Sequence, residues 1–183
     1  MYLTAEQVRK LDGPTLELFL RRKYPEGHHL DYKAQLSHPD QKAHREFLKD
    51  ISAFANANGG HLLIGVKEPS DDLDLGAQVV GIDRPLDVAQ KLENLASSSI
   101  DPRIAGLQII PVTVCGKGII FIHVPPSSTR PHRVDHQGHS AFYRRHTESI
   151  FAMTTHTRSV NRFFPHWVLS TARERFVLST LRC

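Results

Sequence analysis

Three acidic residues, Glu26, Asp31 and Glu68, are spaced so that one short fold could bring them together. Glu26 precedes His29-Leu-Asp-Tyr-Lys-Ala34, a run that reads as a first strand. Asp31 lies on that strand, and Glu68 follows a second one, His61-Leu-Leu-Ile-Gly-Val66. If the two strands pair side by side, their polar ends converge. Bare carboxylates ~4 Å apart repel by roughly 4 kcal/mol at an effective dielectric of about 20, so such a cluster needs a proton, a lysine or a metal. Mg²⁺ or Mn²⁺ would suit it, because hard cations prefer carboxylate oxygens and can activate water against a phosphodiester. Lys33 and Lys67 offer a metal-free alternative as ordinary ion-pair partners. On the residues alone both readings stand. His28, His29, His38 and His44 surround the region, but their spacing matches no metal template, and solvated surface histidines account for them equally well.

The basic candidates lie further on. From Arg130 to Arg162 the chain carries Arg130, His132, Arg133, His136, His139, Arg144, Arg145, His146, His156, Arg158 and Arg162, against only Asp135 and Glu148. Phe142 and Tyr143 adjoin the paired arginines. Guanidinium groups bind phosphate in bidentate fashion and aromatic rings stack on unpaired bases, so the run can serve as a nucleic-acid strip. A solvated basic face is the alternative. Neutralising about six phosphates would make affinity fall roughly a thousandfold between 50 and 200 mM salt.

The elements that must hold these residues can be read from periodicity. Phe47, Leu48, Ile51, Phe54 and Ala55 recur at helical steps, which predicts a long helix from Asp40 with one face in the core. Asn58-Gly59-Gly60 ends it, since glycine takes the left-handed conformation without steric cost, and the apolar run after it reads as a strand buried on both faces. Thr4-Ala-Glu-Gln7 is a capping box for a short helix ending near Leu11, and Gly13-Pro14 opens another to about Lys23. Lys67 to Gln78 reads as a surface loop, Val79 to Ile82 as a brief strand, and Asp83-Arg-Pro85 as the start of a helix with Leu86, Ala89, Leu92 and Ala96 along one side. Leu107 to Val114 and Gly118 to Val124 form a hairpin around Cys115-Gly116-Lys117. Ser140 to Arg145 follows a loop, and helical patterns occupy Met153 to Phe164 and His166 to Leu181. The class expected is a mixed α/β (α+β) fold, with helices packed against a partly antiparallel sheet.

With 183 residues the chain suits one domain with a real core, and its 40% hydrophobic and 23% charged shares are those of a globular protein. Net charge is +4, and the sequence pI is near 9.2. No apolar run approaches the ~20 residues of a membrane span and the first residues lack a signal pattern, so a cytoplasmic location is expected. The only cysteines, Cys115 and Cys183, lie far apart, so neither a disulfide framework nor zinc is expected. Gly116-Lys117 is followed by Gly118 and lacks the upstream glycine of a phosphate-binding loop, which argues against an ATPase.

Several segments, in order and spacing, resemble the Schlafen AlbA-like domain family. They are LDYKAQL at Leu30 to Leu36, ISAFANANGGHLLIGVKE at Ile51 to Glu68, VVGID at Val79 to Asp83, VPPSSTRPH at Val124 to His132 and FYRR at Phe142 to Arg145. The resemblance covers residues 26–164, leaving residues 1–25 as N-terminal helices and 165–183 as a C-terminal helix. It implies a nucleic-acid-binding α/β module, with RNA favoured and DNA the alternative. In Schlafen nucleases such a core cleaves transfer and ribosomal RNA with an acidic triad: a Glu, a second Glu five residues later in the first strand, and an acid just beyond the Gly-Gly strand. Residue by residue, these fall on Glu26, Asp31 and Glu68, which the resemblance makes both catalytic residues and ligands of Mg²⁺ or Mn²⁺. Lys33 or Lys67 would steady the developing phosphorane charge. Lys67, Arg130, His132, Arg133, Tyr143, Arg144, Arg145 and Arg158 would contact nucleic acid.

Three departures from the family pattern matter. Asp31 is one methylene shorter than the usual Glu, enough to displace a ligand oxygen by about 1.5 Å. The Schlafen zinc-binding Cys and His set has no counterpart. Schlafen nucleases clamp RNA between two such lobes, whereas this chain holds one, so a homodimer is expected. The alternatives are a non-catalytic DNA- or RNA-binding module of a regulatory or defence system, in which the acids are ion-paired, and a protein-interaction module using the tail from Trp167 to Leu181.

Overall fold

A computed structural model of the chain describes residues 3–35, 41–146 and 149–153. Arg158 and the expected C-terminal helices lie outside them. The described residues form an α+β fold with two four-stranded sheets, one more than expected.

The first sheet has the order β1-β2-β5-β4, from β1 (Leu30–Lys33), β2 (Gly60–Ile64), β4 (Gln108–Val114) and β5 (Lys117–Val124). β1 runs parallel to β2 with Asp31 opposite Leu62 and Lys33 opposite Ile64; the other pairings are antiparallel. β2 is buried at every position. The second sheet is antiparallel, in the order β3 (Ile100–Asp101), β6 (Arg133–His136), β7 (His139–His146) and β8 (Ser149–Met153).

Alternation along the strands gives the first sheet two apolar faces. Leu30, Tyr32, Leu63, Ile119 and Phe121 meet α1 (Ala5–Arg9) and α2 (Gly13–Arg21) through Val8, Leu16, Phe19 and Leu20. Leu62, Ile64, Ile120 and Ile122 share a second core with α3 (Gln41–Ala55), α5 (Pro85–Ser99) and Val134, Ala141 and Tyr143 of the second sheet. α3 therefore touches both sheets. This is why its buried face is wide, taking in Ala43, Phe47, Leu48, Asp50, Ile51, Phe54 and Ala55.

The joint after α3 is set by sterics. A Cβ on Gly59, whose φ is +74°, would meet Val124 O at 2.6 Å, and one on Gly60 would meet the Phe54 ring and His29 O. Asn56, fully buried, donates from Nδ2 to Tyr143 O (2.8 Å) and His132 O (2.9 Å) and accepts from His132 N (2.6 Å). It ties the end of α3 to the second sheet.

The capping box forms, with Thr4 N donating to Gln7 Oε1 and Gln7 N to Thr4 Oγ1. Elsewhere the structure departs from expectation. Val79 makes only a bridge to Val66, because α4 (Leu75–Gln78) takes up the preceding residues. α5 starts at Pro85 behind a left-handed Arg84, without a side-chain cap, and Leu86 is exposed rather than packed. Residues 133–136, expected in a loop, form β6 and turn into β7 through Gln137 and Gly138, both at positive φ. Residues 149–153 are strand, so the helix expected from Met153 does not begin there; residues beyond 153 lie outside those described.

Candidate functional site

Glu26 and Asp31 meet at the β1 edge of the first sheet, with the charge of Glu68 felt by Glu26. Parallel pairing of β1 with β2 places Asp31 on the face that looks towards α3. Glu26 folds back from the preceding turn, and its Oε1 accepts the backbone N–H of Tyr32 at 3.0 Å. Glu68 sits on the loop after β2, which is pinned by the Val66–Val79 bridge, by Lys67 N on Gln78 O at 2.9 Å and by Lys23 Nζ on Ser70 O at 2.7 Å.

The electrostatics follow from this crowding. The Glu26 and Asp31 carboxyls lie within hydrogen-bonding reach of each other. Partial burial, the shared hydrogen bond with Asp31 and the Asp31 and Glu68 charges raise Glu26 above its ordinary range, against the pull of the Tyr32 N–H. Burial by itself would raise Asp31 too; the Lys33 charge, the Glu26 hydrogen bond and Arg145 outweigh it and hold Asp31 below the usual carboxylate value. Lys33 Nζ donates to both Asp31 oxygens at 3.1 Å, and Arg145 NH1 donates to Oδ2 at 3.1 Å. Burial disfavours the Lys33 charge, but Asp50 and Asp31 together push its pKa up.

Two of these partners depart from the sequence expectation. Arg145, expected in an exposed strip, is 6% exposed and lies over the Phe54 ring, 4.7 Å from its centroid, with its Nε lacking a hydrogen-bond partner among the described residues. Strand geometry explains this: on β7, Ala141, Tyr143 and Arg145 face inward, whereas Phe142 and Arg144 lie on the other face. Adjacent arginines are therefore split. Asp50 is absent from the sequence candidates, although it falls between Phe47, Ile51 and Phe54 on the apolar stripe of α3, where a charge needs a reason. Its side chain is 4% exposed and lies 3.8 Å from Lys33 Nζ. Burial pushes it up to about 7, with Lys33 pulling down and Asp31 pushing up.

The remaining expected contacts scatter. His132 is fully buried, with Nδ1 2.6 Å from Pro102 O. Tyr143 is buried, its hydroxyl 2.8 Å from His139 Nε2. Arg130 NH1 donates to Ala57 O, and Arg133 pairs with Asp135 at 3.4 Å. Arg144 is half-buried and Lys67 exposed. A different basic face is on α3: Lys42, Arg45 and Lys49, at i, i+3 and i+7, share one side of the helix. Their spacing was legible in the sequence. His44 of α3 lies 6.1 Å, ring to ring, from His136 of β6.

The donor set does not fit Mg²⁺ or Mn²⁺ as arranged. Among the described residues no three metal-ligating side chains converge, both Asp31 oxygens accept from Lys33, and one Glu26 oxygen holds the Tyr32 N–H. A divalent ion would have to displace Lys33.

Beside the acids opens a pocket of about 220 Å³, lined by Lys33, Gln35, Lys42, Phe47, Asp50 and Leu62 among others. Among the described residues no helix is long and apolar enough to cross a membrane.

Fold and site together define a two-sheet α+β domain with a partly buried acid–lysine–arginine cluster at a sheet edge. A family profile described as Schlafen, AlbA_2 matches residues 26–153, and the chain belongs to that family. No curated protein matches. Among similar solved structures is a Corynebacterium diphtheriae protein, 16% identical with a TM-score of 0.48; the match covers 68% of this chain and 25% of that one, so this chain spans about a quarter of its length. Another is the N-terminal domain of a Nitrosomonas europaea protein described as related to the ATP-dependent DNA helicase RecG, 18% identical with a TM-score of 0.48, covering 80% of this chain and 97% of that one.

Proposed function

We propose that this protein binds nucleic acid, RNA in preference to DNA, along the exposed side of α3. The observation that carries the reading is the row Lys42, Arg45 and Lys49, which leads to the pocket and to Lys33 beside the acids. A row of cations one helical turn apart follows a phosphate backbone, and membership of the Schlafen AlbA_2 family supports a nucleic-acid-related role. The test is binding of labelled transfer RNA, single-stranded RNA and duplex DNA between 50 and 200 mM salt. Affinity for RNA should fall steeply with salt, and Arg45→Ala or Lys49→Ala should weaken binding and make the salt slope shallower by about 0.7 for each single-strand phosphate no longer neutralised. A flat salt response would sink the reading.

A second reading, endoribonuclease activity, is favoured by the approach of the Glu26 and Asp31 carboxyls, with Glu68 and Lys33 beside them. A carboxyl whose pKa is raised by burial can hand over a proton while a fixed lysine meets developing phosphate charge. Incubation of transfer RNA with Mg²⁺, with Mn²⁺ and with EDTA, using Glu26→Gln, Asp31→Asn and Glu68→Gln, decides it. Cleavage abolished in all three variants supports it; retarded but intact RNA leaves binding alone. A homodimer, which would set two such sites against one RNA, belongs to the same proposal and predicts twice the chain mass by light scattering at micromolar concentration.

A further inference from the structure

The pocket beside the acids has a chemistry of its own. Its floor is apolar, from Ala43, Phe47, Leu62 and Ile64, and among its polar groups Asp50 lies 3.8 Å from Lys33 Nζ. Lys33 and Lys42 are offset by Asp50 and Glu46, so the lining does not favour a phosphate. At about 220 Å³ the space falls below the ~300–1,000 Å³ of drug-sized sites and suits a single planar ring system.

Resting on the nucleic-acid reading above, we propose that this pocket is a nucleobase subsite selective for guanine, read by Lys33 and Asp50 above the apolar floor. Lys33 carries three N–H donors, two of which meet Asp31, leaving one for the pocket. The Asp50 carboxylate beside it supplies two acceptors. Donor, acceptor, acceptor is the complement of the guanine edge, which presents the O6 acceptor, the N1–H donor and the N2 amino donor in that order. Cytosine, whichever way round it enters, sets its N3 acceptor against a carboxylate oxygen. Uracil places a carbonyl oxygen against the second carboxylate oxygen, and adenine sets its N1 acceptor against the first. Phe47, Leu62 and Ile64, almost wholly buried, form the floor under the base, which is held by its hydrogen-bonding edge.

The charged form of Asp50 is the one that reads guanine. The groups facing it are Lys33 and Asp31 of β1 and Glu46 and Lys49 of α3, with Arg145 of β7 acting through Asp31. Because burial holds Asp50 up to about 7, affinity for guanine should rise as pH increases through neutrality and then level off.

The test titrates the isotope-labelled full chain with each of the four ribonucleoside monophosphates and follows the NMR signals of Phe47, Leu62 and Ile64. Guanosine monophosphate should move them at concentrations roughly tenfold or more below the other three. Asp50→Asn should abolish that preference and the pH dependence. Asp87→Asn, an exposed acid of α5 outside the pocket lining, should retain both, and signals unchanged elsewhere in Asp50→Asn separate base reading from folding defects. Equal responses to all four nucleotides, or unmoved signals in the unsubstituted protein, overturn the proposal. RNA binding that depends on Arg45 without any such shift would leave the nucleic-acid reading standing and the pocket refuted. Guanosine monophosphate seated in the pocket of a protein that holds no RNA would do the reverse.

Discussion

Two buried titratable residues pull the acid stability of this chain in opposite directions. Asp50 keeps its proton to about pH 7 in the fold, whereas the unfolded chain releases it near 3.8. Between those values the native state binds more protons, so stability falls as pH rises through the window and is flat above it. Asp50→Asn should leave stability near pH 4 unchanged and raise it at about pH 8 by roughly 2 kcal/mol, a discounted share of 1.36 kcal/mol per unit. Urea unfolding at the two pH values measures this, and equal stability at the higher one would refute it. His61, 2% exposed and packed 5.0 Å from the Phe121 ring, has the opposite sign. Burial and the neighbouring His123 and His29 lower it to about 3, so the unfolded chain takes up a proton near 6.5 that the native state refuses. Stability therefore declines on acidification from about 6.5 to about 3, and His61→Phe should flatten that decline in the same titration.

At the scale of elements, α3 and the joint behind it organise everything that could act. Replacing Asn56 by alanine strips three buried backbone groups of their partners, and a loss of about 3 kcal/mol or more is expected in chemical denaturation. A loss below about 1 kcal/mol would mean that the second sheet is held without it. Much of this element was legible in the sequence, because the apolar steps of α3, its glycine stop and the buried run of β2 are all local signals. β6 was not. Arg-Val-Asp-His has a single inward apolar residue, Val134, and becomes a strand only by pairing with Ile100–Asp101 and with β7. The positions of Glu26, Asp31 and Glu68 could be anticipated from two neighbouring strands, whereas Arg145 could not: its partner is 114 residues away, and only the period of β7 decides which of two adjacent arginines turns inward.

For the whole molecule, the Asp31–Arg145 pair joins a first-sheet strand to a second-sheet strand, each side chain about 5% exposed or less. Removing one partner leaves the other charge buried, so Arg145→Met should cost about 3 kcal/mol, and adding Asp31→Asn should restore part of it. Additive losses in a double-mutant cycle would show that the two sheets are not coupled there. A final consequence concerns Glu26. β1 is an outer strand, and its Tyr32 N–H already donates to the Glu26 carboxylate. Glu26 thus plugs one rung of an open ladder that another chain could otherwise continue. Alanine at this position would unplug it and invite edge-to-edge polymerisation, while glutamine keeps an oxygen on the rung. Turbidity that develops in Glu26→Ala and not in Glu26→Gln would identify this residue as a guard against self-templating, whatever else it does.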